Sequence, residues 1–292
     1  SDYLADDEMD ALRLCREVVS HLNWKKSEPQ IEDLPEEPIY DSDDLLGLVS
    51  KDLKTPFDVR EAIARFTDGS RFEEFKPLFG PTIICGWANV HGYPVGIVGN
   101  NGAIYPDSAQ KAAHFVQLCN KIDTPIIFLQ NVTGFLVGKE FERDGIIKKG
   151  SQLINAVSNS TVPHITIILG ASYGAGTYAM SGRAYNNRFT FIWPSAKIAV
   201  MGGKQIAGVM SLVRKARAFR KGEEFDEDED KKFTEAVERI QDQGSKALEA
   251  TGLISDDGII DPRDTRIVLG ICLSVVRNHP IKGTEEYGVF RL

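Results

Sequence analysis

The sequence predicts an α/β domain in which parallel strands are buried by amphipathic helices, and three observations predict it. From Thr82 onward short apolar runs alternate with stretches of helical spacing. A hydrophobic content of 42% over 292 residues is ample for a sizeable core. At 164-HITIILGASYGAGTYAMSGRAY-185 a β-branched strand runs through small residues into a helix.

The elements follow in order. Residues 1 to about 55 read as an arm: an amphipathic helix from Asp6 to Leu22, then an acidic, proline-bearing connector from Glu28 to Asp44. Thr55-Pro56 starts a second helix, with Val59, Ile63 and Phe66 at helical spacing, and opens the domain proper, 56–292. Strands are expected over Thr82–Val90, Val95–Val98, Pro125–Gln130 and His164–Leu169, with helices at Ser108–Asn120 and Ile146–Asn159 between them. This is a succession of ββα and βα units. The run 221-KGEEFDEDED-230 reads as a solvated loop leading into a helix, Glu227–Ala250, and Arg263–Val276 closes the chain.

Charge and cysteine usage exclude several classes. A net charge of −8 argues against nucleic-acid binding, which needs clustered Lys and Arg. The longest apolar runs are far shorter than the ~20 residues of a membrane span. Cys15, Cys85, Cys119 and Cys272 form no CxxC pair and no signal peptide opens the chain, so free, buried thiols in a reducing compartment are expected. No acidic cluster has the spacing of a calcium loop, and no metal is expected. The opening inside a helix-like stretch suggests a piece of a longer protein.

The chemistry is expected at the strand-to-helix turn. Gly174, Ala175 and Gly176 let backbone amides reach an outside ligand at a helix start, where unpaired N–H groups favour developing negative charge. Three other readings share these residues. Gly170-Ala171-Ser172-Tyr173-Gly174 fits the GxSxG elbow of a serine esterase, with Asp257 or Asp261 and then His279 following in order. Gly170, Gly174 and Gly176 fit the GxxxGxG turn of short-chain dehydrogenases, although no tyrosine has lysine four positions on. A glycine turn used only for close packing is the third.

Seven blocks carry a wider likeness: 57-FDVREAIARFTDGSRFEEFK-76, 93-YPVGIVGNNG-102, 114-HFVQLC-119, 128-FLQNVTGFLVG-138, 172-SYGAGTYAMSGRAY-185, 191-FIWPSAKIAVMGG-203 and 257-DGIIDPRDTR-266. In this order they resemble, from about Ala11 to Leu292, the C-terminal half of the carboxyltransferase subunits of biotin-dependent acyl-CoA carboxylases, methylcrotonyl-CoA carboxylase β subunits above all. The resemblance implies a crotonase/ClpP-like ββα superhelix and a single C-terminal carboxyltransferase domain that chiefly binds biotin. It implies transfer of a carboxyl group from carboxybiotin on a carrier protein to an acyl-CoA: methylcrotonyl-CoA first, propionyl- or acetyl-CoA as alternatives. The implied partners are the biotin carboxylase and biotin carrier subunit, the N-terminal carboxyltransferase half, and further copies of the chain as dimers in a hexamer. Bacterial cytoplasm or the mitochondrial matrix is the implied setting. The amides of Ala175 and Gly176 would hold the ureido oxygen of biotin, where relatives often have Gly-Ala instead of this Ala-Gly. As carboxybiotin loses its carboxyl group, charge builds on that oxygen, and the freed biotin nitrogen takes the acyl-CoA α-proton. Thr133, Gly134, Phe135 and Leu136 would line the biotin channel with Gly174, and Tyr178 would face the acyl group.

Overall fold

The computed structural model of the chain describes residues 3–22, 34–50, 55 and 57–290. Helix α1 (Glu8–Ser20) is capped by the Asp7 carboxylate, which accepts from the Asp10 amide, and buries none of its side chains. The connector expected from Glu28 lies in part outside the described residues. Its described end turns through Ser42–Asp44 into α2 (Leu45–Leu48), whose Leu45 is buried in the core. Leu45 packs there with Val59, Ile63 and Phe66. Pro56 lies outside the described residues, and the second helix starts later than the proline suggested. Asp58 caps α3 (Val59–Ile63) by accepting from the Arg60 amide. Val59, Ile63 and Phe66 are all buried, as their spacing required.

The edge strand β1 (Glu73–Glu74) pairs with β2 (Ile83–Val90), which turns through His91-Gly92 into β3 (Tyr93–Asn100). Both turn residues have positive φ, the backbone of a tight hairpin, and the Asp68 carboxylate accepts from both their amides. Next come α4 (Pro106–Lys121), β4 (Ile126–Val132), α5 (Lys139–Arg143), α6 (Ile146–Asn159), β5 (His164–Tyr173) and α7 (Ala175–Ala179). After β6 (Phe189–Ile192) and β7 (Lys197–Ala199) the chain forms the helical hairpin α8 (Gly203–Lys221) and α9 (Glu227–Gly244). It closes with α10 (Ala247–Gly252), β8 (Gly258–Ile259) and α11 (Thr265–Val276).

One expectation holds here and one changes. The acidic run leads through a short loop into α9, which starts at Glu227 as expected: Asp226 caps it, and Glu227 to Asp230 sit where the helix dipole favours carboxylates. The single helix expected to Ala250 breaks at Ser245-Lys246, because that backbone is taken up by the sheet. The Ser245 carbonyl accepts from the Ile198 amide, and Lys246 bridges Lys197.

The sheet runs β1-β2-β3-β4-β5-β6-β8, with β7 also paired to β5. From β3 through β4, β5 and β6 to β8 every pairing is parallel. Successive residues of β4 enter opposite faces: Ile127 and Leu129 pack in the core with α3 and α11, Ile126 and Phe128 in the core with α4 and α6. On the edge opposite β4, strand β5 serves two neighbours, pairing β6 over Ile165–Ile168 and β7 over Ala171–Tyr173. The change of neighbour coincides with a register shift against β4 between Gln130 and Val132. There the Asn131 side chain reaches across to accept from the Ala171 amide, and a Cβ on Gly170 would lie 2.4 Å from its Oδ1. That close approach accounts for glycine at 170. Cys85, Cys119 and Cys272 are buried free thiols as expected, whereas Cys15 is exposed on α1.

Candidate functional site

The carboxyl ends of parallel strands are where α/β sheets place ligands, because the chain leaves each strand there and the loops splay apart. β4 and β5 end together, and their two loops face each other. After β5, Gly174 adopts φ 57° and ψ −139°, a conformation open to glycine, and turns the chain directly into α7. Its own amide is tied to the Ala199 carbonyl on β7. The next two amides, of Ala175 and Gly176, donate to no group among the described residues. They are the orphan donors of a helix start, with Ala175 exposed and Gly176 buried.

The facing loop is fixed by backbone pairing: the Gly134 carbonyl accepts from the Ile104 amide, and the Leu136 amide donates to the Ile104 carbonyl. It closes on α7 so tightly that a Cβ on Gly176 would stand 2.6 Å from Val132 Cγ2 and 3.3 Å from Gly134 Cα. Beside Ala175 opens an apolar slot of about 310 Å³, walled by Phe135, Leu136, Val137, Ile146 and Ile154. The Phe135 ring lies against Gly150, whose lack of a side chain makes room for it. A larger cleft of about 670 Å³ lies at the amino ends of β3 and β4, near Pro94 and Thr124, away from these loops.

Most of the residues singled out in the sequence therefore meet. Gly174, Ala175 and Gly176 form the turn, Gly134 backs it, and Phe135 and Leu136 wall the slot. Thr133 is exposed beside them and does not line it. Tyr178 follows Ala175 at the i+3 spacing that shares a helix face. It is 45% exposed and rests near Tyr185, ring centroids 5.8 Å apart, so it is no core residue. The walls contributed by Val137, Ile146 and Ile154 were not anticipated. Ile146, Gly150 and Ile154 recur every four residues along α6, and that stripe is the signal that marked them.

The esterase reading fails on geometry. Ser172 is fully buried, and its hydroxyl donates to Gln130 Oε1 at 2.6 Å. His279 lies in a cleft with Pro163 and Arg188, at the start of β5. Eight residues of strand, about 27 Å, separate that end from Ser172. Asp257 is occupied by Arg183 at 2.7 Å and by the Thr190 amide. Among the described residues no group of three or more His, Cys, Asp or Glu side chains stands ready for a metal, and no helix is long and apolar enough to cross a membrane.

The carboxyl transferase domain family matches residues 1–288. A probable biotin-dependent acyl-coenzyme A carboxylase β2 subunit of Mycobacterium tuberculosis is 54% identical, over 100% of this chain and 55% of its own length. The mitochondrial methylcrotonoyl-CoA carboxylase β chain of Dictyostelium discoideum is 45% identical, over 100% of this chain and 50% of its own. The crystal structure of the β subunit of P. aeruginosa geranyl-CoA carboxylase superposes with a TM-score of 0.82 at 42% identity, covering 99% of this chain and 55% of that one. The chain thus spans about half the length of the relatives it matches.

Proposed function

The chain belongs to the carboxyl transferase domain family, a crotonase-like α/β fold, and from that premise we propose that it is the biotin-facing half of an acyl-CoA carboxylase carboxyltransferase. The observation that carries the reading is the pair of unpartnered amides at Ala175 and Gly176, opening beside an apolar slot. Carboxybiotin, when bound, supplies the carboxyl group and takes up negative charge on its ureido oxygen as that group leaves.

The chain's own residues provide what such a group needs. The two amides are held in place before the ligand arrives, so they stabilise an oxyanion without reorganising; one such donor is worth about 3 kcal/mol of barrier. Phe135 and Leu136 offer the bicyclic ring and its aliphatic arm an apolar wall that excludes water. Gly174 and Gly134 keep side chains out of the approach, Thr133 stands exposed at the mouth, and Tyr178 faces the side from which the acyl group enters. No residue here is required as a strong base, and Glu142 is the carboxylate among the residues that line the slot.

The acyl-CoA is methylcrotonyl-CoA in this reading, with propionyl- and acetyl-CoA as competitors. The partners are the N-terminal carboxyltransferase half, a biotin carboxylase with its biotin carrier, and further copies of the chain as dimers within a hexamer. Val209, Leu212 and Val213 of α8 are half or more exposed, an apolar face suited to such a neighbour. The setting is bacterial cytoplasm, or the mitochondrial matrix in a eukaryote.

The test is transfer of labelled carboxyl from a carboxylated carrier protein to a panel of acyl-CoAs, by the chain alone and after addition of a matching N-terminal half. Transfer only in the mixture, fastest to methylcrotonyl-CoA, is expected. No transfer by two properly folded halves refutes the reading.

A further inference from the structure

Beneath α7 the sheet buries a seam of polar side chains where apolar ones would pack. Gln130 on β4, Thr166 and Ser172 on β5, and Ser181 just beyond α7 are all fully buried. One bond of the seam joins β5 to β4, and the others run from a strand to α7 or to the residues that end it. Gln130 Nε2 donates to the Met180 carbonyl at 2.8 Å. Ser172 Oγ donates to Gln130 Oε1, so in its 2.8 Å contact with Thr177 Oγ1 the threonine hydroxyl is the donor. Thr166 Oγ1 donates to the Ser181 carbonyl at 2.7 Å.

A five-residue helix cannot fix its own geometry, since helix formation begins with an unfavourable nucleus. Apolar packing would bury α7 but would leave its rotation and depth loosely set, because dispersion contacts are not directional. Hydrogen bonds are directional, and in a buried seam each broken one strands a polar group at a cost. Thr177 follows Gly176 directly, so a bond to its side chain acts one residue away from the two free amides.

We propose that Gln130, Ser172 and Thr177 are positioning residues, which act through α7 to hold the Ala175 and Gly176 amides at the site of the developing anion. The proposal rests on the carboxyl-transfer reading above. It also gives Ser172 a role that the GxSxG pattern misassigned: the serine is there to orient a helix and not to attack.

The experiment uses the full carboxyltransferase subunit with a carboxylated carrier protein and methylcrotonyl-CoA. Thr177→Val keeps the shape and removes the hydroxyl. The expected result is a kcat lower by about tenfold, with KM for donor and acceptor within about twofold, since the amides are displaced by less than the ~1 Å that costs two orders of magnitude. Thr177→Ser, which keeps the hydroxyl, restores the wild-type kcat. Ser172→Ala gives a similar loss, and the double variant loses no more than either single one, as members of one network should. Melting temperature is read alongside, and a Thr177→Val protein that melts lower yet turns over at the wild-type rate marks a merely structural seam and overturns the proposal. So does Thr177→Ser as slow as Thr177→Val. Should Thr177→Val not fold, the Ser172→Ala kcat decides in the same sense. A wild-type enzyme that transfers no carboxyl at all refutes the parent reading, whereas an active wild type with unaffected variants refutes only this one.

Discussion

Gly176→Ala is the substitution that the geometry judges most sharply. A Cβ at 176 would stand 2.6 Å from Val132 Cγ2, and carbon atoms settle at about 3.5–4.0 Å, so about 1 Å of separation must open. Val132 cannot yield: it is β-branched, fully buried and paired to β5 through Ser172. α7 therefore moves, and the Ala175 and Gly176 amides move with it. A displacement of about 1 Å at a reacting site costs on the order of 10²-fold, or about 2.7 kcal/mol of barrier. The fold itself loses less, because overpacking costs about 1–3 kcal/mol and alanine recovers about 1 kcal/mol of helix propensity over glycine. The assay is carboxyl transfer from carboxylated carrier to acyl-CoA in the assembled enzyme, beside a thermal melt. Gly208→Ala is the control, since a Cβ there meets nothing within 4 Å on α8. The expected result is a hundredfold loss of kcat for Gly176→Ala with a near wild-type melt, and full activity for Gly208→Ala. A Gly176→Ala enzyme that keeps its kcat would refute the placement of the reaction at these amides.

Two predictions concern stability. Burial pushes the His164 imidazole down to about 3, and the neutral ring is satisfied between the Ser160 and Ser181 hydroxyls. Because this value lies below that of the unfolded chain, about 6.5, the unfolded state binds the extra proton, and stability falls as pH drops through 6.5 toward 3. Between pH 7 and pH 5 the contribution is on the order of 2 kcal/mol, and a His164→Gln variant should show a denaturation midpoint less sensitive to pH by that amount; an unchanged pH slope counts against it. Asp68, 2% exposed, accepts from Arg266 at 2.6 Å and from the His91 and Gly92 amides. Asp68→Ala takes from buried Arg266 its nearer carboxylate, leaving exposed Glu37 at 3.6 Å and the Phe66 and Glu36 carbonyls, and should cost about 3 kcal/mol by chemical denaturation; a loss below 1 kcal/mol would contradict that account.

Strand and helix positions were legible because burial writes itself as period: Val59, Ile63 and Phe66 mark one helix face, and the apolar runs of β2, β4 and β5 mark strands covered on both sides. Boundaries were less so. Val95–Val98 extends to a strand of eight residues, Tyr93–Asn100, because Pro94, Gly99 and Asn100 carry no strand signal of their own yet pair in register with β2 across the hairpin. The break at Ser245-Lys246 depends on a partner strand some fifty residues earlier, which no local pattern encodes.

By itself the sequence determined that small residues follow a β-branched strand at 170–176, and this alone fixes a turn whose amides an outside ligand can reach. It determined the family likewise, since seven blocks in one order admit few other readings. Only the tertiary structure decided among the uses of that turn. GxSxG and a glycine-lined anion turn are the same letters, and they differ in whether Ser172 faces solvent or the sheet and in whether a histidine stands within reach. The fold turns Ser172 inward onto Gln130, leaves His279 at the far end of β5, and brings Phe135 and Ile154 to the side of Ala175. Those placements depend on contacts between residues twenty to more than a hundred positions apart, and such distances are set by packing, not by neighbours along the chain.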